Sequence, residues 1–585
     1  MCDACCTIPP GPRIGRAQFL KLIGAGAAAA ALPGAAFAGT AAAAPRSVPG
    51  AGAEGAGPLL VDNVRGYTVT RGGRLRRFSR MLVTPGGKVA ALDPGAVRDV
   101  RRLDGRGRVL LPGLHDAHGH LWGIGALAVQ LDLAGTRSLQ EAMDRLAAYA
   151  VAHPEQTWIQ GRGWNEVVWG LGRLPTAQDL DAVVSDRPVW LVRVDGHAGV
   201  ANSQALRLSG VTADTPDPAG GQIVRDASGA ATGVFVDAAK AFVASQLPEP
   251  TLEDVRDRAL AAQTRLNAVG LTSVSDAGTS ADGVVVLRQL ASAGDLTLRL
   301  NAFLDYEAFT EIGADARTDS YAEDMLRIRT VKLYMDGALG SHGAALIEPY
   351  SDRPSAKGLL QMEPAELNRR VEVILRGGYQ AAVHAIGDLG NRVVLDAYER
   401  GFSAVGDQGL RHRIEHAQII ALDDIPRFKR LGIIASMQPV HATDDMNMAE
   451  TRVGPDRIKG GYAWRSLLDQ GSVVASGSDF PVSSENPFDG LHAAVTRTDR
   501  EGKPSGGWYP EQAMTPVEAL RSFTVDAAYA AHQEKVLGGL EPGKWADFIL
   551  LDTDPFDLPA GRALWQTEVL QTWVAGHRVG EYGAL

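Results

Sequence analysis

Two histidines separated by a single residue, His118 and His120, closely follow a short apolar run that ends at Leu114. Alternate residues of an extended chain point to the same face, so these imidazoles could bind one metal ion at the end of a strand. Imidazole is the commonest neutral metal ligand at physiological pH. An isolated pair is weak, because two histidines beside a turn are more often ordinary surface residues. The rest of the chain decides between these interpretations.

Side chains that bind metals or move protons also lie in or directly after apolar runs elsewhere in the chain. They are Lys332, His384, His416 and Asp479. Each one alone has an ordinary explanation, since a histidine after a strand is usually structural and a lysine in an apolar run usually extends to water. Their repeated occurrence at strand ends predicts that they meet at one site.

Apolar, strand-like runs alternate with helical stretches through the middle of the chain, which predicts βα units around a parallel sheet. The eight predicted strands cover residues 109–114, 271–275, 296–304, 329–334, 379–383, 413–414, 432–438 and 473–476. Helices are predicted between them, for example over 252–269, 364–377 and 423–431. Eight such units indicate an α/β protein with a (β/α)8 TIM barrel, whose active site lies at the carboxyl ends of the strands.

The segments outside these units predict additions to the barrel, which we assign to residues 109–534. Short apolar segments with Gly and Pro turns occur in 58–108 and again in 535–585, which predicts a small β-sandwich domain built from both chain ends. The first crossover is too long for a simple connection. Residues from about 131 to 250 are therefore predicted to form an inserted α/β lobe after the first barrel strand.

Residues 1–38 are typical of an export signal. Basic residues precede a small apolar stretch at 22–32, and an A-x-A-like processing site ends at Ala38. The segment resembles the twin-arginine consensus, but Ala17 stands where a second arginine is expected. We therefore predict export to the periplasm or the extracellular space, by this or another route. The apolar stretch is shorter than the roughly 20 residues that span a bilayer, so the mature chain is expected to hold no stable membrane span.

Composition restricts the partners and the redox chemistry. The formal net charge is -10, whereas nucleic-acid binding requires a concentrated basic surface, so a small-molecule substrate is expected and nucleic acid is not. All three cysteines, Cys2, Cys5 and Cys6, lie in the export signal, which predicts a mature chain without disulfides. Residues 39–57 are rich in Ala, Gly and Pro and are interpreted as a linker.

Several segments together resemble the amidohydrolase superfamily, in particular its amidohydrolase-3 branch, which includes N-substituted formamide deformylases. They are PGLHDAHGH, WIQGRGW, VDGHAGVANSQAL, TGVFVD, VKLYMDGALGSHGAAL, VHAIGD, HRIEHAQ, SGSDFPV and LEPGKWADFILLD. The resemblance implies a barrel that binds one or two divalent metals, usually zinc, and activates water to hydrolyse amide-like bonds. A homodimer is expected only from this likeness.

Carried over position by position, the resemblance also implies a set of metal ligands. The set is His118, His120 and Asp479 for the more buried metal, His384 and His416 for the second, and Lys332, N-carboxylated by carbon dioxide, as the bridge between them. An ammonium group beside two dications is strongly disfavoured, which agrees with a neutral amine that can capture carbon dioxide.

Two residues are assigned to catalysis. Asp479 would accept the proton of the attacking water and deliver it to the leaving amine, although an aspartate here could also simply cap the next segment. His197, in the inserted lobe, could reach the substrate carbonyl or could be a structural histidine at a turn.

Further residues are candidates for lining the pocket or orienting the ligands. His115 could orient a ligand, and Asp388 and Glu415 could hydrogen-bond neighbouring ligand histidines. The candidates for the pocket wall are Asp336, His342, Trp164, Trp169, Tyr334 and Trp464, of which the aromatic residues could equally be core packing.

The main functional hypothesis is metal-dependent hydrolysis of a non-peptide carbon–nitrogen bond in a small amide, formamide or cyclic imide. The same site acting on an ester, lactone or carbamate is the alternative, because an activated water does not itself choose the leaving group. A third hypothesis is an exported binding protein with structural metals, but such sites are usually closed by four protein ligands. Zinc, iron and manganese all suit a mixed imidazole and carboxylate site.

Overall fold

The computed structural model describes residues 57–194, 196–218 and 220–583. The predicted export signal, its three cysteines and all of the predicted linker except Gly57 lie outside the described residues.

The strands are numbered along the chain. They are β1 (Leu59–Asp62), β2 (Arg65–Val69), β3 (Leu75–Phe78), β4 (Met81–Val83), β5 (Val89–Leu92), β6 (Arg101–Asp104), β7 (Val109–Pro112), β8 (Leu114–Gly119), β9 (Leu131–Asp132), β10 (Ile159–Trp164), β11 (Val189–Arg193), β12 (Ala198–Ala201), β13 (Gly221–Arg225), β14 (Ala231–Asp237), β15 (Leu271–Thr279), β16 (Arg299–Leu304), β17 (Thr318–Tyr321), β18 (Leu326–Tyr334), β19 (Gln380–Ala385), β20 (Arg413–His416), β21 (Ile434–Met437), β22 (Val474–Ser476), β23 (Phe548–Leu551), β24 (Val569–Val574) and β25 (His577–Glu581).

The helices are numbered in the same way. They are α1 (Leu121–Val129), α2 (Leu139–Ala152), α3 (Ala177–Asp181), α4 (Ser203–Leu208), α5 (Ala241–Ala244), α6 (Leu252–Ala268), α7 (Ala281–Ala293), α8 (Tyr306–Ala316), α9 (Pro364–Arg376), α10 (Asp388–Val405), α11 (Ile425–Leu431), α12 (Pro439–Asp445), α13 (Ala449–Arg457), α14 (Trp464–Asp469), α15 (Pro487–Thr496), α16 (Pro516–Ser522) and α17 (Val525–Ala530). Short 3-10 turns occur at Ala238–Lys240, Leu422–Asp424, Ile458–Gly460, Pro510–Gln512 and Leu564–Gln566.

Local sequence signals explain where several barrel helices begin and end. The Ser280 side chain accepts a hydrogen bond from the Gly283 N–H and so satisfies a free donor at the start of α7. Gly294 ends that helix with φ 76, a conformation that glycine adopts without a steric cost. Asp305 caps α8 by accepting from the Ala308 N–H at 2.6 Å.

Both chain ends build the β-sandwich, as predicted. One sheet has the strand order β5-β4-β1-β6, and the other has the order β25-β24-β23-β7-β2-β3. Their shared core contains Val61 and Met81 from the amino-terminal part and Phe548, Leu550 and Trp573 from the carboxyl-terminal part, all buried. Each sheet therefore covers the apolar face of the other.

The TIM barrel is also confirmed. Its parallel strands are hydrogen-bonded in the order β8-β15-β16-β18-β19-β20-β21-β22, and β17 adds an antiparallel strand beside β18. Just beyond β22, the Asp479 N–H donates to the His118 carbonyl at 2.7 Å, and the His120 N–H donates to the Phe480 carbonyl at 2.8 Å. These bonds bring the chain after the last strand against the first, which closes the barrel.

The predicted first barrel strand, 109–114, is wrong in its position. Val109–Pro112 forms β7 of the sandwich, where it pairs with β2 and β23, and the first barrel strand begins only at Leu114. Gly113 separates the two strands, and a Cβ there would lie 2.1 Å from the Thr272 hydroxyl oxygen. Both segments are apolar and buried, so the run looked continuous although the chain changes sheets at Gly113.

Residues 124–261 form a second compact unit. Its sheet has the order β13-β14-β12-β11-β10-β9, with β10 and β11 parallel and the hairpin β13-β14 antiparallel. A buried apolar core that includes Leu146, Trp164 and Leu191 packs on this sheet. Among the described residues, no helix is both long and apolar enough to cross a membrane.

A buried ion pair joins the amino end of the barrel to the sandwich. Arg299, the first residue of β16, is 1% exposed and donates from Nε and Nη2 to the two carboxylate oxygens of Asp547 at 2.6 and 3.1 Å. Asp547 directly precedes β23 and also accepts from the Ala575 N–H at 2.7 Å. The pair is bidentate and buried, so each charge is stabilised mainly by the other.

We expect Asp547→Ala to lower the free energy of unfolding by about 3–5 kcal/mol, because it leaves the Arg299 guanidinium buried without a counter-charge. The shift of the chemical denaturation midpoint, followed by tryptophan fluorescence, measures this loss. Glu372→Ala is the control, since it removes an exposed ion pair with Arg376 and should shift the midpoint only slightly. Equal shifts in the two variants would contradict the role given to the buried pair.

Candidate metal centre

Five barrel strands carry the predicted ligands to one place. β8 supplies His118 and leads into His120, β18 supplies Lys332, β19 supplies His384, β20 ends at His416, and Asp479 follows β22. All six residues are buried, with Asp479 and His118 fully inaccessible to solvent. Ring centroids of His118 and His416 lie 4.9 Å apart, and those of His384 and His416 lie 4.5 Å apart. The structure therefore brings together residues that are far apart in the sequence.

His118 has one ring nitrogen facing the centre and the other held by a carboxylate. Its Nε2 lies 3.2 Å from Lys332 Nζ and 3.5 Å from Asp479 Oδ1. Its Nδ1 is in close hydrogen-bonding contact with Glu415 Oε2. A second ring nitrogen bound in this way fixes the tautomer and the orientation of a metal-binding imidazole.

Glu415 is itself paired with a buried arginine. Arg413 donates to both carboxylate oxygens of Glu415 and also donates to the Ala117 carbonyl at 2.7 Å. Burial alone would raise the pKa of Glu415, but the charge of Arg413 and the hydrogen bond with His118 hold it well below its usual range. Glu415 is thus an ionised acceptor that orients His118.

Asp479 lies between the two groups of histidines. Its Oδ1 is 3.0 Å from His120 Nε2. Burial would raise the pKa of Asp479, but its contact with His120 and the nearby histidines hold it well below the ordinary value. Asp479 and His416 have φ values of 61 and 71, in the left-handed region that non-glycine residues seldom adopt. Such strain persists mainly where function requires a particular side-chain direction.

Burial favours the neutral form of His118, His384 and His416. Burial, with the Lys332 ammonium as the next cause, lowers the pKa of His118 to about 4 and that of His384 to about 3. Burial also lowers the pKa of His416 well below the usual value. His416 Nδ1 is 2.9 Å from Gln438 Oε1, which leaves its Nε2 for another ligand. Neutral imidazoles need not lose a proton before they bind a metal.

One histidine at this site was missed by the sequence interpretation. His441 lies on α12, and its Nε2 is 3.8 Å from Asp479 Oδ2. The sequence feature that could have revealed it is the segment Gln438–His441, which directly follows the seventh barrel strand. However, His441 lies four residues beyond the end of β21 and on a helix. A search restricted to strand ends therefore passed over it.

Tyr334 and Asp336, predicted to line the pocket, lie at and beyond the end of β18. The Tyr334 ring is 4.8 Å from Lys332 Nζ and 5.7 Å from the His384 ring. Asp336 is fully buried and accepts three backbone N–H groups from the loops that follow β18 and β19, and its Oδ1 is 3.5 Å from His384 Nε2. Burial raises the pKa of Asp336 to about 7.

Two predicted orienting residues make other contacts. Asp388 was expected to bond a ligand histidine, but it begins α10 and accepts from the Ile347 N–H at 2.8 Å, which supports a loop. His115 lies three residues, or about 10 Å along an extended strand, before His118. Its Nε2 is 3.2 Å from Ser275 Oγ. These contacts are with groups other than the predicted ligands, and the orienting roles of Asp388 and His115 stay predictions.

The other candidates lie in loops and cores. His342 follows β18 and is paired with Asp352, the nitrogen and oxygen being 3.2 Å apart. Trp464 is fully buried beneath the guanidinium of Arg497, 4.3 Å from the ring centroid. Both residues therefore have structural partners of their own.

Three candidates belong to the unit of residues 124–261. His197 is mainly exposed, and its Nδ1 is 2.7 Å from Asp237 Oδ1. Trp164 is 1% exposed in the core of this unit and donates to the Leu191 carbonyl at 2.8 Å, so it packs that core rather than lining a pocket. Trp169 donates to the Thr136 carbonyl at 3.2 Å.

The donor set fits a divalent metal ion. The ligand atoms of His118, His120 and Asp479 lie within 4.8 Å of one another, as do those of His416, His441 and Asp479. Within the described residues, the buried Nε2 atom of His384 makes no hydrogen bond. A buried polar atom without a partner is costly and rare unless a ligand satisfies it. Imidazole with carboxylate suits zinc, iron or manganese.

Comparisons with known proteins give consistent likenesses. The amidohydrolase-3 model, described as the amidohydrolase family, matches residues 102–579. Protein LONG AFTER FAR-RED 3 of Arabidopsis thaliana is 35% identical over 485 residues, which cover 81% of this chain and 82% of that protein. N-substituted formamide deformylase of Arthrobacter pascens is 30% identical over 523 residues, which cover 85% and 94%. The crystal structure of an uncharacterized metal-dependent hydrolase from Pyrococcus horikoshii OT3 has a TM-score of 0.72 and 29% identity, covering 86% of this chain and 99% of that chain.

Glu415→Gln is expected to weaken binding of the metal at His118 by about 10- to 100-fold, because a neutral amide no longer accepts charged bonds from both Arg413 and His118. Isothermal titration with zinc measures the change. Glu534→Gln is a matched control, since Glu534 also pairs with an arginine, Arg411 at 2.8 Å, outside the centre. Unchanged zinc affinity in Glu415→Gln would argue against its orienting role.

Proposed function

The chain belongs to the amidohydrolase family, and from this premise we propose that it is a metal-dependent hydrolase that uses water to cleave a non-peptide carbon–nitrogen bond. The substrate class is a small amide, formamide or cyclic imide. The observation that carries the proposal is the convergence of His118, His120, His384, His416, Lys332 and Asp479 from five barrel strands. The similarity to a formamide deformylase along most of both chains supports the choice of bond.

One or two divalent ions, with zinc favoured by the donor set, would supply Lewis acidity that polarises the substrate carbonyl and acidifies water. They would be held by His118, His120, His384, His416, Asp479 and a carboxylated Lys332. Glu415 positions His118, and Gln438 positions His416, so the ligand directions exist before substrate arrives.

Asp479 is the residue proposed to move the proton. Water adds through its oxygen to the carbonyl carbon while one of its protons passes to a carboxylate oxygen of Asp479. The carbon–nitrogen bond then breaks as Asp479 returns this proton to the leaving nitrogen. A linear amide gives a carboxylic acid, formic acid in the case of a formamide, and an amine, whereas a cyclic imide gives one ring-opened product that carries a carboxylic acid and an amide. Complete burial of Asp479 keeps bulk water from competing for the proton.

We expect the zinc-loaded protein to hydrolyse members of an amide, formamide and imide panel, and Asp479→Asn to lower kcat by about 10²- to 10⁴-fold because the proton acceptor is lost. Steady-state kinetics and metal content are measured together, so that loss of turnover is separated from loss of metal. A matched panel of esters, lactones and carbamates is the control. Faster turnover of the ester, lactone and carbamate panel would overturn the assigned bond type. An unchanged kcat in Asp479→Asn would overturn the role of Asp479 in proton transfer.

Carboxylation of Lys332 is part of this proposal. Its side chain is buried beside His118 Nε2, where an ammonium charge is poorly solvated. The neutral amine would add to carbon dioxide and release one proton, which forms a carbamate with an anionic oxygen.

Protein loaded with zinc and ¹³C-labelled carbon dioxide should give a carbamate ¹³C resonance, because the modification supplies an anionic ligand. Nuclear magnetic resonance measures it, and Lys332→Arg is the control that should lack the signal. A spectrum of the zinc-loaded wild type without this resonance would refute the modification.

Export remains a proposal based on residues 1–38, by the twin-arginine or another route. The amino-terminal sequence of protein recovered outside the cytoplasm tests it, since a signal that is removed near Ala38 leaves a shortened chain.

A homodimer likewise stays a prediction, which the mass of the protein in solution would test.

A further inference from the structure

We infer that His441 is a metal ligand and that His416, His441 and Asp479 form the second ion position, so that the two positions share the Asp479 carboxylate. This inference rests on the metal centre of the proposed function. It differs from the ligand set implied by family resemblance, which assigns His384 and His416 to the second ion and contains no residue from the segment after β21.

The two oxygens of Asp479 face different histidines. Oδ1 is 3.0 Å from His120 Nε2, whereas Oδ2 is 3.8 Å from His441 Nε2. Two ligands of one zinc ion, each bonded at about 2.0–2.2 Å, are separated by no more than about 4.4 Å. The separation of 3.8 Å is long for a hydrogen bond and suits two ligands on either side of one ion.

His416 and His441 present their rings to this position together. The ring planes are 10° from parallel, and their centroids are 6.0 Å apart. Gln438 occupies His416 Nδ1, so the free nitrogen of that ring is Nε2. Gln438 directly precedes α12, the helix that carries His441, so one βα segment both orients one ligand and supplies another.

The Nε2 atom of His441 is buried and makes no hydrogen bond among the described residues. A buried ring nitrogen without a partner loses the free energy of its bonds to water. A metal ion would restore that loss. Buried histidine nitrogens elsewhere, such as His412 Nε2, also lack a hydrogen bond, so it is the position of His441 beside His416 and Asp479 that indicates a ligand.

An acidic residue shares the helix of His441. Asp445 lies one turn later on α12, where its charge interacts with His441. The Asp445 carboxylate accepts from Gln418 Nε2 at 2.6 Å and from the Tyr462 hydroxyl at 2.7 Å. These two hydrogen bonds hold an acidic side chain on the same helix as His441.

A consequence concerns Lys332. The two ion positions, one with His118 and His120 and the other with His416 and His441, each have two imidazoles and one Asp479 oxygen. Neither needs a lysine oxygen to reach three protein ligands. Occupancy by two metals should therefore persist when carbon dioxide is removed, even if the modification of Lys332 does not.

The first experiment uses cobalt(II) as the probe in the full chain. His441→Cys should show a thiolate-to-cobalt charge-transfer absorption that wild type lacks, because a cysteine at this position would bind the ion directly. Cys2, Cys5 and Cys6 are common to both proteins, so the difference spectrum isolates position 441. His342→Cys is the matched control, since its side chain is 17% exposed against 13% for His441, and it should give no such band. A difference spectrum of His441→Cys without the band overturns the inference.

The second experiment measures cobalt(II) stoichiometry and affinity without any substrate. Wild type should bind two equivalents in buffer free of carbon dioxide, and His441→Ala should bind the second at least about tenfold more weakly with the first unchanged. If His441→Ala has the circular dichroism spectrum of wild type and still binds two cobalt(II) ions with unchanged affinity, the inference about His441 is wrong and the proposed function is unaffected. A wild type that binds no cobalt overturns the proposed function as well, and a wild type that binds only one overturns the shared-carboxylate arrangement.

Discussion

The closure of the barrel between its first and last strands is the constraint on which the site depends. Asp116 on β8 is fully buried and accepts from the N–H and hydroxyl of Ser478, 362 residues away, and from the His118 N–H. A Cβ on Gly477 would lie 2.5 Å from both Asp116 Oδ1 and His118 N, so only glycine allows this approach. Because the closure joins the two strand ends, the His118 and Asp479 side chains face the same point.

Burial then gives the site its chemical character. Water is excluded from the imidazoles, so the uncharged form that binds metals is favoured. The pKa values of Glu415 and Asp479 stay low because Arg413 and the histidines face these carboxylates, whereas burial raises the pKa of Asp116 to about 7 although Ser478 and His118 donate hydrogen bonds to it. Fold and chemistry are linked, since the same burial that stabilises the barrel selects the protonation states of the centre.

The sequence interpretation was most accurate where a residue follows an apolar strand directly. His384 and His416 lie at the ends of barrel strands, where strand direction determines which way a side chain points, and their roles as ligands stay predictions. His441 was missed since it lies on a helix after β21, and no local pattern indicated that Asp388 accepts from a backbone N–H on another loop. The change of sheets at Gly113 was likewise invisible, because burial on both sides removes the alternation that marks a strand boundary.

The sequence by itself determined the order of the elements, the residue types at the barrel strand ends and the likeness to amidohydrolases, since periodicity and motifs are local properties of the chain. Only the tertiary structure decided which oxygen of Asp479 faces which histidine, that Arg413 and Glu415 stand behind His118, and that His441 joins the group. These relations depend on strand register and helix direction across hundreds of residues, and no local pattern encodes a distance between side chains that meet only after the barrel closes.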